Sequence, residues 1–564
     1  MSAEPAKPEG RKLLGQILKA QGVLKESQVQ EALAAQKLRG GLFGRNLVEL
    51  GACGEAQVAR ALAEQAGLAL VDLSAIQPEK PALALVDGTT AHAFGVLPLK
   101  VEGRTLVVAL ADPLNTAVLE DLRFQSGVDV RAVLAEKRLL DEAVKRHYGE
   151  EQGLADAIRD AARATAGGDV TQAAASTPVV RLLNSILLRA VKDRASDIHF
   201  EVYDEAFRIR YRVDGSLYEV EAPPSHLALP LVARIKVMAD LDIAETRMPQ
   251  DGRIEMAIDG RPVDLRVATL PGISGEGCVM RVLDRTAVAL DLSVLGLPRR
   301  EEDALRRLTQ LPHGIVLVTG PTGSGKTTTL YAMLQAANDP ETKIITAEDP
   351  VESEIDGIVQ VPVNDEIGVT YARVLRTMLR QDPDKILIGE IRDGETASVA
   401  VEASLTGHTV FSTLHTNDAP STVTRLVDMG VEPFMITATL EAVVAQRLLR
   451  TICPECKTSY EPAPELLAEL GGGEAAAVAG GQRFSRGKGC AKCFHTGYKG
   501  RTGVFEILVM DDELRASVLA GASTQELRHA AKRGGMRTLR ESAVELLLAG
   551  RTTIEEVLRE TAGL

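Results

Sequence analysis

The 564-residue sequence contains no tryptophan, and aromatic residues make up only 3% of it. No apolar run approaches the roughly 18 residues that a membrane-spanning helix needs, and the opening residues MSAEPAKPEGRK hold no apolar stretch typical of secretory signals. The formal net charge of −14 argues against a general nucleic-acid-binding surface, and few aromatic rings are present to stack on bases. We therefore expect a cytoplasmic protein with no nucleic-acid partner.

Cysteine is also scarce, since six residues in so long a chain are too few for a disulfide scaffold. Four of them form two CxxC pairs, Cys453 with Cys456 and Cys490 with Cys493, separated by 33 residues. Two such pairs supply four thiolates for a tetrahedral zinc ion, and an all-cysteine set is typical of a closed structural site. The spacing predicts structural Zn²⁺; a redox role or an empty site is the alternative.

An internal repeat occupies the first part of the chain. The segment from Leu13 to Gln36 aligns with the segment from Leu42 to Gln65 at an offset of 29 residues, and the alignment matches several glycines. In each unit apolar residues recur three or four positions apart, and a glycine follows the first apolar group. This pattern predicts two short helices per unit, the first ended by that glycine.

A phosphate-binding motif lies near the middle of the chain. The apolar run before it predicts a buried strand, and a helix is expected from the lysine onward, which is the context that a P-loop requires. The lysine supplies charge to the β- and γ-phosphates, and the next hydroxyl is a ligand for Mg²⁺. The predicted ATP and Mg²⁺ site comprises Gly320, Pro321, Thr322, Gly323, Ser324, Gly325, Lys326, Thr327 and Thr328.

Three polar strand ends follow the P-loop along the chain. Glu348 follows the apolar run KIITA, Glu390 follows KILIG, and His415 follows TVFSTL. In doubly wound sheets the carboxyl ends of parallel strands lie beside the nucleotide. We expect Glu390 to orient the attacking water, Glu348 to serve the metal shell or act as the alternative base, and His415 to sense the γ-phosphate.

Four motifs of the sequence resemble those of one known protein family. GPTGSGKTTTL, ITAEDPVE, ILIGEIRD and GHTVFSTLHT resemble the Walker A, aspartate, Walker B and histidine boxes of the secretion ATPase superfamily, the motors of bacterial type II secretion and type IV pilus assembly. The resemblance runs from about residue 178 to the C-terminus and, more weakly, covers the N-terminal repeat. It implies a cytoplasmic homohexamer, peripheral to the inner membrane, that acts on an inner-membrane platform protein and associated cytoplasmic assembly proteins.

The resemblance also implies further binding residues. Arginines of the domain before the motor reach the phosphates in this family, and the matching positions are Arg210, Arg253, Arg266 and Arg281. The N-terminal repeat resembles the tandem motif by which some members bind cyclic di-GMP, although Leu13 and Leu42 replace the opening arginine of the motif. A helical docking module is the alternative for this repeat.

The fold class implied is α/β: a RecA-like P-loop ATPase core preceded by an α+β domain, with a helical repeat domain at the N-terminus and a four-Cys zinc insert. The predicted segments are 1–69 (helical tandem repeat), 70–149 (small α+β domain), 150–177 (flexible linker), 178–288 (PAS-like α+β domain), 289–450 (RecA-like ATPase domain), 451–505 (zinc subdomain) and 506–564 (C-terminal helices).

Two other functions compete with a secretion or pilus motor. A nucleic-acid motor of DNA uptake or conjugation shares the RecA-like core, and stimulation of hydrolysis by DNA would reveal it. A sensor that binds nucleotide without turnover is opposed by the intact Lys326, Thr327 and Glu390. The sequence leaves open whether a secretion or a pilus-extension motor is encoded.

Overall fold

A computed structural model describes most of the chain. The described residues are 13–39, 42–74, 76–113, 118, 119, 122, 123, 126–148, 154–165, 173, 174, 176–220, 222–258, 261–284, 291–470 and 484–563. The chain divides into two compact units, the first ending at Val288 and the second beginning at Ala289. The finer division into seven segments stays a prediction.

The first unit begins with four helices, which confirm two helices per repeat: α1 (Leu14–Ala20), α2 (Glu26–Arg39), α3 (Phe43–Glu49) and α4 (Glu55–Ala66). Gly22 and Gly51 follow α1 and α3 with φ values of +71° and +67°, a left-handed conformation that favours glycine. Leu18 and Leu47 are fully buried at matching positions of the two repeats. The repeat therefore forms its own small apolar core.

A small α+β layer follows, with strands β1 (Leu70–Val71), β2 (Val96–Glu102), β3 (Thr105–Leu110) and β4 (Asp129–Ala135) and helices α5 (Lys80–Leu83), α6 (Gly88–Phe94), α7 (Lys137–Tyr148) and α8 (Leu154–Ala164). The sheet order is β1-β4-β3-β2. Helix α8 lies inside the predicted flexible linker 150–177, so that prediction is wrong for residues 154–164, where Leu154, Ala157, Ile158 and Ala161 are buried. Residues 150–153, 166–172 and 175 of the linker lie outside the described residues.

The rest of the first unit is an antiparallel sheet with two helices. Its elements are α9 (Thr177–Lys192), β5 (Asp197–Val202), β6 (Phe207–Val213), β7 (Ser216–Glu219), α10 (Ala228–Met238), β8 (Gln250–Ile258), β9 (Arg261–Gly272) and β10 (Gly275–Asp284), and the strand order is β7-β6-β5-β10-β9-β8. Along β6 the apolar Phe207, Ile209 and Tyr211 are buried and alternate with arginines. One sheet face therefore packs on the core, and the opposite face carries the arginines.

The second unit is built on a seven-stranded sheet with the order β13-β12-β14-β15-β11-β16-β19. The strands are β11 (Gly314–Thr319), β12 (Ile344–Glu348), β13 (Val359–Pro362), β14 (Lys385–Ile388), β15 (Thr409–Leu414), β16 (Leu440–Ile452) and β19 (Tyr498–Val509). Neighbouring strands run parallel except for β19, which is antiparallel to β16. The predicted parallel α/β sheet is confirmed, and it extends beyond residue 430 by these two strands.

Helices cover the sheet of the second unit and fill the C-terminal part of the chain. They are α11 (Arg299–Thr309), α12 (Lys326–Ala337), α13 (Tyr371–Met378), α14 (Gly394–Leu405), α15 (Ala419–Asp428), α16 (Pro433–Thr439), α17 (Pro464–Glu469), α18 (Asp512–Leu519), α19 (Thr524–Arg533), α20 (Leu539–Leu548) and α21 (Ile554–Glu560). A two-stranded ribbon of β17 (Lys457–Tyr460) and β18 (Phe484–Gly487) lies between β16 and β19 in sequence. Across the described parts of both units, no helix combines the length and apolar character that crossing a membrane requires.

Candidate functional site

The phosphate loop joins the central strand to the helix that follows it. All six residues of β11 are buried, and the strand pairs in parallel with β15 and β16. Gly320, Gly323 and Gly325 have φ values of +146°, +80° and +90°, where an L side chain is strained. Helix α12 then begins at Lys326. The chain therefore forms the strand, glycine-rich turn and helix start that a P-loop requires.

Lys326 folds over this loop. Its ammonium donates hydrogen bonds to the carbonyl oxygens of Gly320 (2.9 Å) and Pro321 (3.1 Å). Burial lowers the pKa of Lys326, while the negative charge of Glu390 opposes that shift. The two groups therefore interact electrostatically across the site. Thr327, in the first turn of the helix, is exposed to solvent.

Glu390, which follows β14, meets His415, which follows β15. Nε2 of His415 lies 3.0 Å from one carboxylate oxygen of Glu390, and the guanidinium of Arg392 binds the other. Burial alone would raise the pKa of Glu390, but the hydrogen bonds from Arg392 and His415 outweigh it and hold the pKa below its usual range. The acid is therefore ionised at neutral pH.

The residue before Glu390 is Gly389, at the position where many P-loop enzymes carry a metal-binding aspartate. A Cβ built on Gly389 would lie 2.8 Å from the hydroxyl oxygen of Tyr371 and 3.2 Å from the carbonyl oxygen of Ala347. The Gly389 N–H donates to that same carbonyl at 2.8 Å. An aspartate side chain would therefore crowd both of these atoms, and the acidic group comes one residue later.

Glu348 is placed differently from Glu390. It ends β12, is 4% exposed, and accepts hydrogen bonds from the hydroxyls of Tyr331 and Thr346 and from the amide of Gln360 at 3.0 Å. Tyr331 belongs to α12, the helix that begins at the P-loop. With three donors on its two oxygens, the Glu348 carboxylate joins this helix to the end of β12.

Two candidate functional residues were not predicted from the sequence, because they lie on β16, far along the chain from the P-loop. Gln446 accepts a hydrogen bond from the Thr329 hydroxyl (2.7 Å), and a Cβ on Gly320 would lie 2.5 Å from the Gln446 carbonyl oxygen. Arg447 donates to the carbonyl oxygen of Asn417 at 2.9 Å. The strand-alternation pattern alone gives no signal for either residue.

The four arginines proposed from the family resemblance share one face of the first unit's six-stranded sheet. Arg253, Arg266 and Arg281 occupy directly opposed positions on β8, β9 and β10, and Arg210 lies on β6 with its guanidinium bound to Glu201.

Two of the other arginines bind acids of the same sheet. Arg253 donates to Asp264 at 2.8 Å, and Arg281 lies 3.4 Å from Asp197. The sheet therefore gathers three of the four arginines into one row, and carboxylates pair with two of these three.

The four cysteines of the two CxxC pairs come together. The Sγ atoms of Cys453 and Cys490 are 3.9 Å apart, those of Cys456 and Cys493 are 3.8 Å apart, and those of Cys490 and Cys493 are 3.7 Å apart. All four Sγ atoms lie within 4.8 Å of one another. Tetrahedral zinc with Zn–S bonds of about 2.3 Å needs sulfur atoms about 3.8 Å apart, so this donor set fits zinc.

Comparison with known proteins identifies the family of this chain. The family described as type II/IV secretion system protein matches residues 172–559, and the MshEN domain matches residues 66–154. The chain is 42% identical to the type IV pilus assembly ATPase PilB of Myxococcus xanthus, over 97% of this chain and 99% of that protein. It is 50% identical to the type II secretion system ATPase E of Vibrio cholerae, over 70% of this chain and 77% of that protein.

A solved structure, that of the ATPase DotB of Legionella pneumophila, aligns with a TM-score of 0.50 and 22% identity over 68% of this chain and 95% of that one. This similarity shows a shared fold. None of the relatives reported above is named as a nucleic-acid motor, so that alternative gains no support from them. The predicted family is confirmed, and this chain belongs to the type II/IV secretion system proteins and is an ATP hydrolase of that family.

Proposed function

We propose that this protein is the hexameric motor ATPase of a type IV pilus assembly or type II secretion system, peripheral to the inner membrane on its cytoplasmic side. In this account it couples ATP hydrolysis to movement of an inner-membrane platform protein. The observation that carries the proposal is the contact between Glu390 and His415 at the ends of the parallel strands β14 and β15, next to β11, the strand that leads into the P-loop and Lys326. The names of the two relatives, a pilus assembly ATPase and a secretion ATPase, support the same systems.

In the proposed site, the loop from Gly320 to Gly325 wraps the phosphates and Lys326 binds the β- and γ-phosphates. Thr327, exposed in the first turn of α12, is the residue that would hold Mg²⁺. When bound, this ion neutralises charge on the phosphates. Lys326 would leave the two carbonyl oxygens that it now binds and turn its ammonium to the phosphates.

We assign the orientation of the attacking water to Glu390 and a positioning role to Glu348. The Glu390 carboxylate is ionised, and its two partners, His415 and Arg392, are about half exposed. Glu348 instead is buried, and three donors already occupy its oxygens. We propose that His415, which is bound to Glu390 in this structure, senses the γ-phosphate through that bond.

The arginine row of the first unit is proposed to supply charge to the transferred phosphoryl group. A guanidinium is always protonated and binds phosphate in a fixed geometry. Arg253 and Arg281 are more than half exposed although each is paired with an acid. Their acid partners, Asp264 and Asp197, are largely buried, so each carboxylate holds an exposed guanidinium on this face of the sheet, where a phosphate would bind it. Arg210 and Arg266 are proposed for the same role from their positions on the same face.

Zinc at the four cysteines is proposed to be structural. Cys453 directly follows β16, and Cys493 lies shortly before β19, so a metal here would tie these two strands to the ribbon of β17 and β18. Residues 471–483 of the insert lie outside the described residues. The binding free energy of a structural zinc site contributes directly to folding.

For the N-terminal repeat we propose a docking module as the first function. A Cβ on Gly15 would contact the Phe43 ring at 3.4 Å, and one on Gly44 would lie 2.8 Å from Val58 and 3.4 Å from Leu14. These glycines thus accommodate neighbouring helices and are not open to a ligand. Leu13 and Leu42, at the positions of the missing arginines, are 67% and 41% exposed, which suits contact with a protein partner. Cyclic di-GMP binding stays the alternative.

A chromosomal Lys326→Ala exchange in the source bacterium tests the proposed system. Loss of surface pili with normal exoprotein secretion assigns the motor to pilus assembly, and the reverse assigns it to type II secretion. A strain that keeps both, while the variant protein accumulates normally and lacks ATPase activity, contradicts the proposal.

A further inference from the structure

A buried arginine lies beside the phosphate loop. Arg447 is 6% exposed and stands two residues beyond Ala445, which pairs with Thr319 at the end of β11. Strand β16 therefore continues past the point where β11 turns into the loop. A Cβ on Gly320 would lie 3.2 Å from Nη1 of Arg447, so the guanidinium and the loop backbone are neighbours.

The hydrogen-bond partners of Arg447 are neutral. Nη1 donates to the carbonyl oxygen of Gln446 (3.1 Å), and Nη2 donates to the carbonyl oxygen of Asn417 (2.9 Å), with the Asn417 side-chain oxygen at 3.4 Å. Among the residues that the structure describes, no carboxylate forms an ion pair with it. Asn417 belongs to the loop that follows His415, so the guanidinium joins this loop to the flank of the P-loop.

Three acids act electrostatically on Arg447, Glu560 most strongly, and all three are engaged elsewhere. Glu560 binds the guanidinium of Arg559 at 2.9 Å. Asp418 pairs with Arg528 and caps helix α15, and Glu506 accepts hydrogen bonds from the N–H groups of Ala419 (2.8 Å) and Leu539 (3.1 Å). A buried cation without its own counter-ion is costly unless an anion compensates it. The anion for which this part of the molecule is built is the nucleotide phosphate.

Two cations thus converge on one glycine of the loop. Lys326 binds the Gly320 carbonyl oxygen, and Nη1 of Arg447 lies 3.2 Å from the Cβ position of the same residue. The two charges also influence each other: after burial and Glu390, the charge of Arg447 is a further cause of the shifted pKa of Lys326. Geometry and electrostatics therefore place both groups around the same site.

We propose that Arg447 is a second cation of the phosphate site, a positioning residue that holds the Asn417 loop beside the P-loop and favours polyphosphate binding through its charge. The inference rests on the proposed nucleotide site. According to this proposal, nucleotide affinity depends on the positive charge of Arg447 and not only on its hydrogen bonds. The effect should grow with the number of phosphates near the loop and should be absent for a nucleotide that lacks the β-phosphate.

Isothermal titration of the full-length protein with ADP and with AMP, in Mg²⁺, tests this proposal in the variants Arg447→Gln and Arg447→Lys. Glutamine keeps a donor for the Asn417 carbonyl but removes the charge, and lysine keeps the charge. We expect Arg447→Gln to weaken ADP binding roughly tenfold or more, because two unit charges about 12 Å apart at an effective dielectric of about 20 already interact by that amount. AMP affinity should not change, Arg447→Lys should bind ADP nearly as the wild type does, and the KM for ATP should rise in Arg447→Gln.

Arg515→Gln is the matched control. Like Arg447, Arg515 donates to a backbone carbonyl, that of Thr437, but it is also paired with an acid, Glu441. Unchanged ADP affinity in a folded Arg447→Gln variant overturns the proposal, as does an equal loss in Arg447→Lys. If Arg447→Gln does not fold, Arg447→Lys decides: near wild-type ADP affinity supports the charge role, and a tenfold loss overturns it. Lys326→Ala distinguishes a failure of this proposal from a failure of the proposed nucleotide site, because wild-type ADP affinity in that variant would contradict the nucleotide site itself.

Discussion

Replacement of Gly389 by alanine tests the packing behind the acidic strand end. The added methyl group would lie 2.8 Å from the Tyr371 hydroxyl and 3.2 Å from the Ala347 carbonyl, and the second contact is with backbone that cannot swing away. Overpacking of this kind costs about 1–3 kcal/mol. Because alanine also restricts the unfolded chain, about 0.4–1 kcal/mol is recovered. With the middle of both ranges, the net loss should be about 1.3 kcal/mol.

The assay is thermal unfolding together with steady-state ATP turnover. A loss of 1 kcal/mol lowers the midpoint by about 2–4 °C in domains of 150–250 residues. Turnover should fall as well, because any shift at residue 389 moves Glu390. Tyr371→Phe removes the nearest atom, so the double variant Gly389→Ala/Tyr371→Phe should regain at least half of the loss in both measurements.

Gly54→Ala is the control for the glycine exchange, since a Cβ there meets only the Gln57 side chain, at 3.7 Å. A midpoint and turnover of Gly389→Ala equal to those of the wild type would refute the packing argument. A double variant as impaired as Gly389→Ala alone would show that the Tyr371 hydroxyl is not the obstacle.

Four further predictions concern the other sites. Glu390→Gln should keep ATP bound but lose turnover by roughly 10²-fold or more, the scale of a positioned acid or base; the exposed Glu395→Gln is its control, and full activity in Glu390→Gln would reverse its assignment. Glu348→Gln should lower the unfolding midpoint along with turnover, whereas an equal turnover loss with an unchanged midpoint would favour direct chemistry by Glu348. Metal analysis should find one zinc per chain, released in Cys453→Ser or Cys490→Ser with lower stability; unchanged metal in both variants would remove the site. Titration of the full chain with cyclic di-GMP should give no heat at about 100 µM protein, and heat that is lost on deleting residues 1–69 would support ligand binding by the repeat.

The sites with local motifs were predictable from the sequence. The P-loop and the two CxxC pairs depend on spacing over a few residues, and the parallel sheet brings Glu390 and His415 together because both end neighbouring strands. Helix α8 was also within reach, since Leu154, Ala157, Ile158 and Ala161 repeat at helical spacing, but the alanine- and glycine-rich context suggested a linker instead.

Features that depend on contacts between residues distant in sequence could not be predicted from the sequence. The burial of Glu348 by Tyr331, Thr346 and Gln360 requires three elements to meet, so its sequence pattern looked equivalent to that of Glu390. The crowding of Gly389 by Tyr371 is likewise a tertiary contact.

Two further features depend on strand pairing. The row of Arg253, Arg266 and Arg281 depends on register across three strands, which alternation alone does not specify. Arg447 lies beside the P-loop only because β16 pairs with β11, and its own sequence pattern does not predict that pairing.

The central claim is that the loop around Lys326 binds and hydrolyses ATP, and steady-state turnover of the Lys326→Ala variant tests it most directly. The substitution removes the ammonium group that binds the phosphates but no core volume. The unfolding midpoint and the zinc content should therefore stay at wild-type values. The account predicts that turnover at saturating Mg-ATP is abolished and that ADP affinity is largely lost. Wild-type turnover in this variant would contradict the account.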